Sequence, residues 1–286
     1  MGGVVAVVTD STACLSAELV AGGGIRVVPL RVVLAGRVAN EGTPGQDSAV
    51  TVADVEQALR RGERVGTVSP APGRFAAAYA AAAAGGADAI VSVHLSAHLS
   101  GTVNSASLAA RSAPVPVRVV DSQSIGMGLG LAVLTAASAA SAGQDAAAVA
   151  AAAASRAAGL RSFFALDTPG QLRAGGRLAA SSAPPGSVLT ARPLLHIRDG
   201  RIAMLEKART PSAAVTRLEQ LAAEFAADKP VDLAVQYLTD AGRASTLAGR
   251  LASVVPGARQ VYLAAAGPVI CAHTGPGMIG VVVAPS

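Results

Sequence analysis

The residues best suited to chemistry lie in Leu99-Ser100-Gly101-Thr102-Val103-Asn104-Ser105, directly behind the apolar run at residues 89–95. A run of that length, rich in β-branched residues, reads as a buried strand, and the Ala-rich stretch after the hydroxyls reads as a helix. The first turn of a helix offers unpaired backbone N–H groups and the positive end of the helix dipole. It can therefore hold a carboxylate or a phosphate. Similar strand ends recur at Thr9-Asp10-Ser11-Thr12, Thr67-Val68-Ser69-Pro70 and Asp121-Ser122-Gln123-Ser124. Together they predict one shared polar spot at the carboxyl edge of a parallel sheet, where open α/β sheets take their ligands.

A second concentration surrounds His273. Gly267, Gly275 and Gly277 with Pro268 and Pro276 predict a shaped loop in which the backbone comes close to something. The imidazole there could donate to an oxyanion. Ser100 with His273 also leaves open a serine-dependent lipid or small-ester hydrolase, although His98 occupies the place of the first glycine of a Gly-x-Ser-x-Gly elbow. A third reading is a sensor that binds a small anion and a protein partner. His94 and His98 stand four apart, but one falls on the predicted strand and the other in the loop, so the pair does not read as a metal site. Gly126-Met127-Gly128-Leu129-Gly130 lacks the sixth-position glycine of a dinucleotide loop and a placed ribose acid, so it reads as close helix-on-sheet packing.

The elements that must position these residues alternate. Residues 4–9, 25–34 (interrupted by Pro29), 64–69, 89–95 and 117–120 read as strands. Residues 16–21, 51–62, 72–85, 100–112, 124–142 and 146–158 read as helices, with Ser16 and Thr51 as N-caps and Asp54 completing a capping box. That order predicts an α/β domain with a mostly parallel sheet covered on both faces. Beyond it the pattern changes. Strands at 163–167, 192–198, 201–208, 233–238, 260–265 and 280–283 surround a helix at 210–227 with Pro211 at its first position. Asp199-Gly200 is a type I′ hairpin signal. Residues 40–47 and 181–187 read as loops. A hairpin among helices predicts an α+β domain with a mixed or antiparallel sheet, so the expected division is 1–160 and 161–286.

The net charge of +5 comes from scattered arginines, with Lys207 and Lys229 the only lysines. No block of like charge and no stacking platform accompanies them, which argues against nucleic acid. Two cysteines, Cys14 and Cys271, make no disulfide framework or metal spacing. No segment reads as a signal peptide or a membrane span, so the expected setting is the cytoplasm, without integral membrane association.

Taken together, the segments resemble the DegV family of bacterial fatty-acid-binding proteins, the lipid-carrying subunits of fatty acid kinase. The resemblance runs in order through Thr9-Asp10-Ser11-Thr12, Val28-Pro29-Leu30, Thr67-Val68-Ser69-Pro70-Ala71-Pro72-Gly73-Arg74-Phe75, Leu95-Ser96-Ala97-His98-Leu99-Ser100-Gly101-Thr102 and Val120-Asp121-Ser122. It continues through Leu172-Arg173-Ala174-Gly175-Gly176-Arg177-Leu178, Arg192-Pro193-Leu194-Leu195 with Asp199-Gly200, and His273-Thr274-Gly275-Pro276-Gly277. The chain departs from the family pattern at Val68-Ser69, Ala97 and Val103.

The resemblance implies a long-chain, palmitate-like fatty acid in a tunnel between the two domains, with no other cofactor and no metal. It implies that Thr67, Ser100 and His273 hold the carboxylate, with Ser96, Ser69, Gly101, Thr102 and Thr274 as further contacts. It implies a carrier rather than an enzyme, one that presents the carboxylate to a separate fatty acid kinase catalytic subunit for phosphorylation to an acyl phosphate, in phospholipid synthesis. Arg177 and Arg209 are the candidates for facing that partner or the phosphate, since Arg suits planar bidentate contact.

Overall fold

The run Val-Ala-Val-Val-Thr-Asp forms the first strand, β1 (Val5–Asp10), in the computed structural model, which describes residues 3–41, 49–178 and 192–286. A 3₁₀ turn (Ser11–Ala13) leads to α1 (Ala17–Gly22), where Ser16 Oγ accepts from the Leu19 N–H at 3.3 Å as the capping residue. Then come β2 (Arg26–Val28), β3 (Arg31–Leu34), β4 (Arg37–Asn40), α2 (Val52–Arg60) and β5 (Val65–Val68). The chain continues with α3 (Pro72–Ala84), β6 (Ala89–His94), α4 (Thr102–Ala110), β7 (Val117–Asp121), α5 (Met127–Ser141) and α6 (Ala146–Gly159). After these follow β8 (Arg161–Ala165), α7 (Gly170–Ala174), β9 (Arg192–Arg198), β10 (Arg201–Ala208) and α8 (Pro211–Ala226). The last elements are β11 (Val231–Tyr237), α9 (Ala241–Val254), β12 (Ala258–Ala265), α10 (Pro268–Thr274) and β13 (Ile279–Pro285).

The first unit comprises Met1–Arg31 and Thr67–Gly159. Its sheet has the order β2-β1-β6-β7 with every pairing parallel. All four strands therefore end at one edge, and Asp10, His94 and Asp121 close three of them. Phe75, Tyr79, Ile90, Val8 and Ala106 fill the core between the sheet and the helix pair α3 and α4. Gly130 explains the glycine cluster of α5: a Cβ there would lie 2.5 Å from the carbonyl oxygen of Ala13. The cluster lets α5 pack tightly on the turn after β1.

The second unit comprises Val32–Gly66 and Leu160–Ser286. Its main sheet has the order β10-β9-β8-β13-β11-β12 and is mixed, since β11 and β12 pair parallel and the other neighbours antiparallel. Asp199 and Gly200 take φ of +50° and +73° at the β9–β10 turn, as a type I′ hairpin requires. Thr210 Oγ1 accepts from the Ala213 N–H at 3.1 Å, Pro211 opens α8, and Leu218, Leu221 and Ala222 bury its inner face on the sheet.

Two expectations need correction. The extended run at 25–34 is two strands in separate sheets, because Pro29 has no N–H to donate and ends β2. By its contacts Val32–Gly66 groups with the C-terminal part of the chain. There α2 packs against α10, and the Glu41 carboxylate accepts from the Val269 N–H at 3.1 Å. The second correction is α10 itself, a helix where the Gly/Pro spacing predicts a loop. Pro268 opens it at the position where a missing N–H is harmless, and Gly275 at φ +76° stops it. The loop expected at 181–187 and most of that at 40–47 lie outside the described residues.

Candidate functional site

Three hydroxyls meet at the carboxyl edge of the parallel sheet. Ser69 leaves the end of β5, Ser100 ends the turn after β6, and Thr102 opens α4. Ser100 Oγ lies 2.7 Å from Ser69 Oγ and 2.9 Å from Thr102 Oγ1. Thr102 is fully buried, while Ser69 and Ser100 are half-buried. Gly101 is the N-cap of α4 with no side-chain capping bond, so Ser100 is not spent on closing the helix. A Cβ at Gly101 would meet only Ser69 Oγ, at 3.7 Å. Each hydroxyl has one hydrogen to donate. The two links in this chain use two of the three hydrogens, which leaves one for an outside acceptor. Thr67 lies half-buried in β5, two residues before Ser69.

The turn that presents Ser100 is held from both sides. Ser96 is fully buried, and its carbonyl accepts from the Leu99 and Ser100 N–H groups at 2.9 and 3.2 Å. Its hydroxyl accepts from the His98 N–H at 3.2 Å, and its own N–H donates to the Ser124 carbonyl at 2.8 Å. Asp121 accepts from the Ala97 N–H at 3.3 Å. Ser96 therefore shapes the turn rather than facing outward.

Behind the turn lies a network absent from the sequence-based expectations. Asp10, Ser92 and His94 are fully buried. Asp10 Oδ1 accepts from Thr12 N at 3.1 Å and from Thr12 Oγ1 at 2.5 Å. Asp10 Oδ2 accepts from Leu95 N at 3.1 Å and meets His94 Nδ1 at 3.0 Å. His94 Nε2 is 2.7 Å from Ser92 Oγ, to which Tyr79 donates at 2.9 Å. His94 is thus a core histidine with both nitrogens engaged. Among the described residues, no group of three or more His, Cys, Asp or Glu side chains could hold a metal ion.

In the second unit the structure gathers His273, Arg177 and Gly175. His273 sits in the last turn of α10 and is half-buried. Burial, and then the nearby Arg177 charge, push its imidazole down to about 4, so the ring is neutral at pH 7 and donates from one nitrogen only. A Cβ at Gly175 would come within 3.0 Å of His273 Nδ1, so the glycine makes room for the ring. Gly176 at φ +68° turns the chain back, and the Arg177 guanidinium donates to the Gly175 carbonyl. Thr274 is buried and donates to the Ile270 carbonyl at 2.9 Å, a bond inside its own helix. Gly277 packs on Asp167, which is paired with Arg192. Arg209 is exposed in the turn between β10 and α8.

A parallel sheet covered by helices in one unit and a mixed sheet in the other define an α/β protein. Residues 4–286 match the DegV family, described as "Uncharacterised protein, DegV family". A DegV domain-containing protein of Streptomyces coelicolor is 49% identical over 279 residues, 98% of each chain. Among solved structures, a DegV family protein from Thermus thermophilus, described by its fatty acid binding, superposes with a TM-score of 0.90 at 32% identity over 100% of both chains. DegV of Bacillus subtilis, described as a fatty acid binding protein, gives 0.88 at 28% identity, also over 100% of both chains. The chain belongs to the DegV family.

Proposed function

We propose that this protein binds a long-chain fatty acid and carries it, with the carboxylate held at Thr67 and Ser100 and the acyl chain in an enclosed apolar tunnel. The observation that carries this reading is the Ser69–Ser100–Thr102 hydroxyl chain at the start of α4. A buried carboxylate costs several kcal/mol unless it is hydrogen-bonded. Thr67, Ser100 and the amides of the first helical turn meet that need. His273, neutral and able to donate, is a further contact in the proposal. Burying about fifteen methylenes releases roughly 12 kcal/mol at about 0.8 kcal/mol each, before ordering and association costs. The fatty acid binding of the Thermus thermophilus and Bacillus subtilis relatives supports the same ligand class.

The proposal extends to a cytoplasmic carrier that presents the carboxylate to a separate kinase subunit for phosphorylation, with Arg177 and Arg209 facing that partner. The hydrolase reading is disfavoured by two observations. Ser100 Oγ is engaged by two other hydroxyls, neither of which is a base. A histidine titrating at about 4 is a weak general base at neutral pH.

Native mass spectrometry of the purified protein should show a co-purified fatty acid. The double variant Thr67→Ala, Ser100→Ala should weaken palmitate binding more than about tenfold, as loss of hydrogen bonds to a charged group predicts. Unchanged affinity in the double variant would remove the headgroup assignment.

A further inference from the structure

We infer that Asp10 and His94 are positioning residues for the headgroup site, a sealed hydrogen-bonded chain that holds the Ser100 turn in its binding geometry. The inference rests on the fatty-acid reading and deepens it.

Asp10 closes β1 and His94 closes the adjacent β6, the two strands pairing parallel with Thr9 opposite Val93. One carboxylate therefore spans two loops. Its Oδ1 holds Thr12, after β1, and its Oδ2 holds the Leu95 N–H, the first amide beyond β6 and the entry to the Ser96–Ser100 turn. The remaining bond comes from His94 Nδ1. A carboxylate oxygen only accepts, so Nδ1 donates to Asp10, while Nε2 lies 2.7 Å from Ser92 Oγ, to which Tyr79 donates. Tyr79 belongs to α3, the helix that follows Ser69, and its hydroxyl also lies 3.4 Å from the Ala106 carbonyl of α4. Phe75 packs edge-on against the imidazole with ring centres 4.9 Å apart. The network thus touches the β6–α4 turn and α4, which carry Ser100 and Thr102, and α3, the helix that follows Ser69.

The order Asp–His–Ser is that of a hydrolytic triad, but Asp10, His94 and Ser92 are each 0% exposed, so no reactant reaches Ser92. What remains for them is geometry. Links of 2.7 and 2.9 Å at Ser100 are lost with a displacement of well under an ångström. A carboxylate is the side chain suited to the task, because it accepts from four donors converging on it. Asparagine at position 10 would turn an NH₂ toward two of those donors and release either Thr12 or the Leu95 amide.

The test separates headgroup from tail. Dissociation constants for palmitate and for hexadecanol, which share the chain and differ in the headgroup, are measured for wild type, Asp10→Asn and Ser92→Ala. Circular dichroism checks folding. Wild type should prefer palmitate. Asp10→Asn should lose about tenfold of that preference, the scale of one hydrogen bond to a charged group, while hexadecanol affinity stays within about twofold. Ser92→Ala, which frees the far side of His94 and the Tyr79 hydroxyl but leaves every bond to Asp10, should lose about threefold. A general loss of structure would weaken both ligands alike. A folded Asp10→Asn with wild-type preference overturns the inference and leaves the fatty-acid reading standing. If Asp10→Asn does not fold, undiminished preference in Ser92→Ala overturns it. Wild type that takes up neither ligand overturns the fatty-acid reading and the inference together.

Discussion

His273 should make the protein lose stability on mild acidification, in a window set by its own titration. In the unfolded chain the ring titrates near 6.5, whereas in the folded one burial, and then the charge of Arg177, hold it at about 4. Between those values the unfolded chain binds a proton that the folded chain does not. Stability therefore rises with pH through the window. The contribution is fully present above about pH 6.5 and lost as pH falls toward about 4. At roughly 1.4 kcal/mol per pH unit the gap corresponds to about 3 kcal/mol as a ceiling, and the partial solvent contact of the ring trims it to about 2 kcal/mol. Urea unfolding at pH 7.5 and pH 4.5 measures the loss in wild type and in His273→Gln. Carboxylates titrate in both proteins, so the difference between the two losses isolates the imidazole. Wild type should lose about 2 kcal/mol more than the variant. Arg177→Gln, which removes the second cause, should narrow the window from its acid side. Equal losses in wild type and His273→Gln would refute the buried, neutral imidazole.

Two glycines give further tests. Gly130→Ala places a methyl 2.5 Å from the Ala13 carbonyl, where only backbone can yield, and should destabilise the protein by about 2 kcal/mol in urea unfolding despite the better helix propensity of alanine. Gly175→Ala brings a methyl to 3.0 Å from His273 Nδ1 and 3.2 Å from the Gln171 carbonyl, so the ring must give way. The His273 imidazole resonances in the NMR spectrum should move, at a stability cost of about 1 kcal/mol. Unchanged resonances would show that the ring does not rest on Gly175.

Much of the secondary structure is legible in the sequence wherever a local signal carries it. Thr51 and Asp54 form the expected capping box, with the Thr51 N–H donating to Asp54 at 2.9 Å and Thr51 Oγ1 accepting from the Asp54 N–H at 3.3 Å. Asp199-Gly200 makes its hairpin, and Pro211 opens α8. Elements without such signals escape notice. The helix α9 buries only Ala244, Leu247 and Leu251, and its Gly242 and Gly249 weaken the period. The strand β4 shows no apolar alternation, so residues 37–40 do not announce themselves. The regrouping of Val32–Gly66 depends on contacts such as Glu41 with Val269, 228 positions apart, which no window along the chain can register.

The candidate site divides along the same line. Hydroxyls at strand ends are visible because small polar residues after an apolar run are rare enough to notice, and a parallel sheet brings such ends to one edge. The support behind them is invisible until strand order is known, since Asp10 and His94 stand 84 positions apart. Once β1 is placed beside β6 with Thr9 opposite Val93, however, the next residue of each strand must meet its neighbour at the edge. A buried acid beside a buried histidine then follows from register alone. The polar residues of this sheet edge thus fall into two layers with different physics. The outer layer, Ser69 and Ser100, keeps partial solvent contact, whereas the inner layer, Asp10, Ser92 and His94, is dry and satisfies its own polar atoms. A dry inner layer keeps water from competing for the turn, and for that reason substitutions there should alter headgroup preference without opening the site.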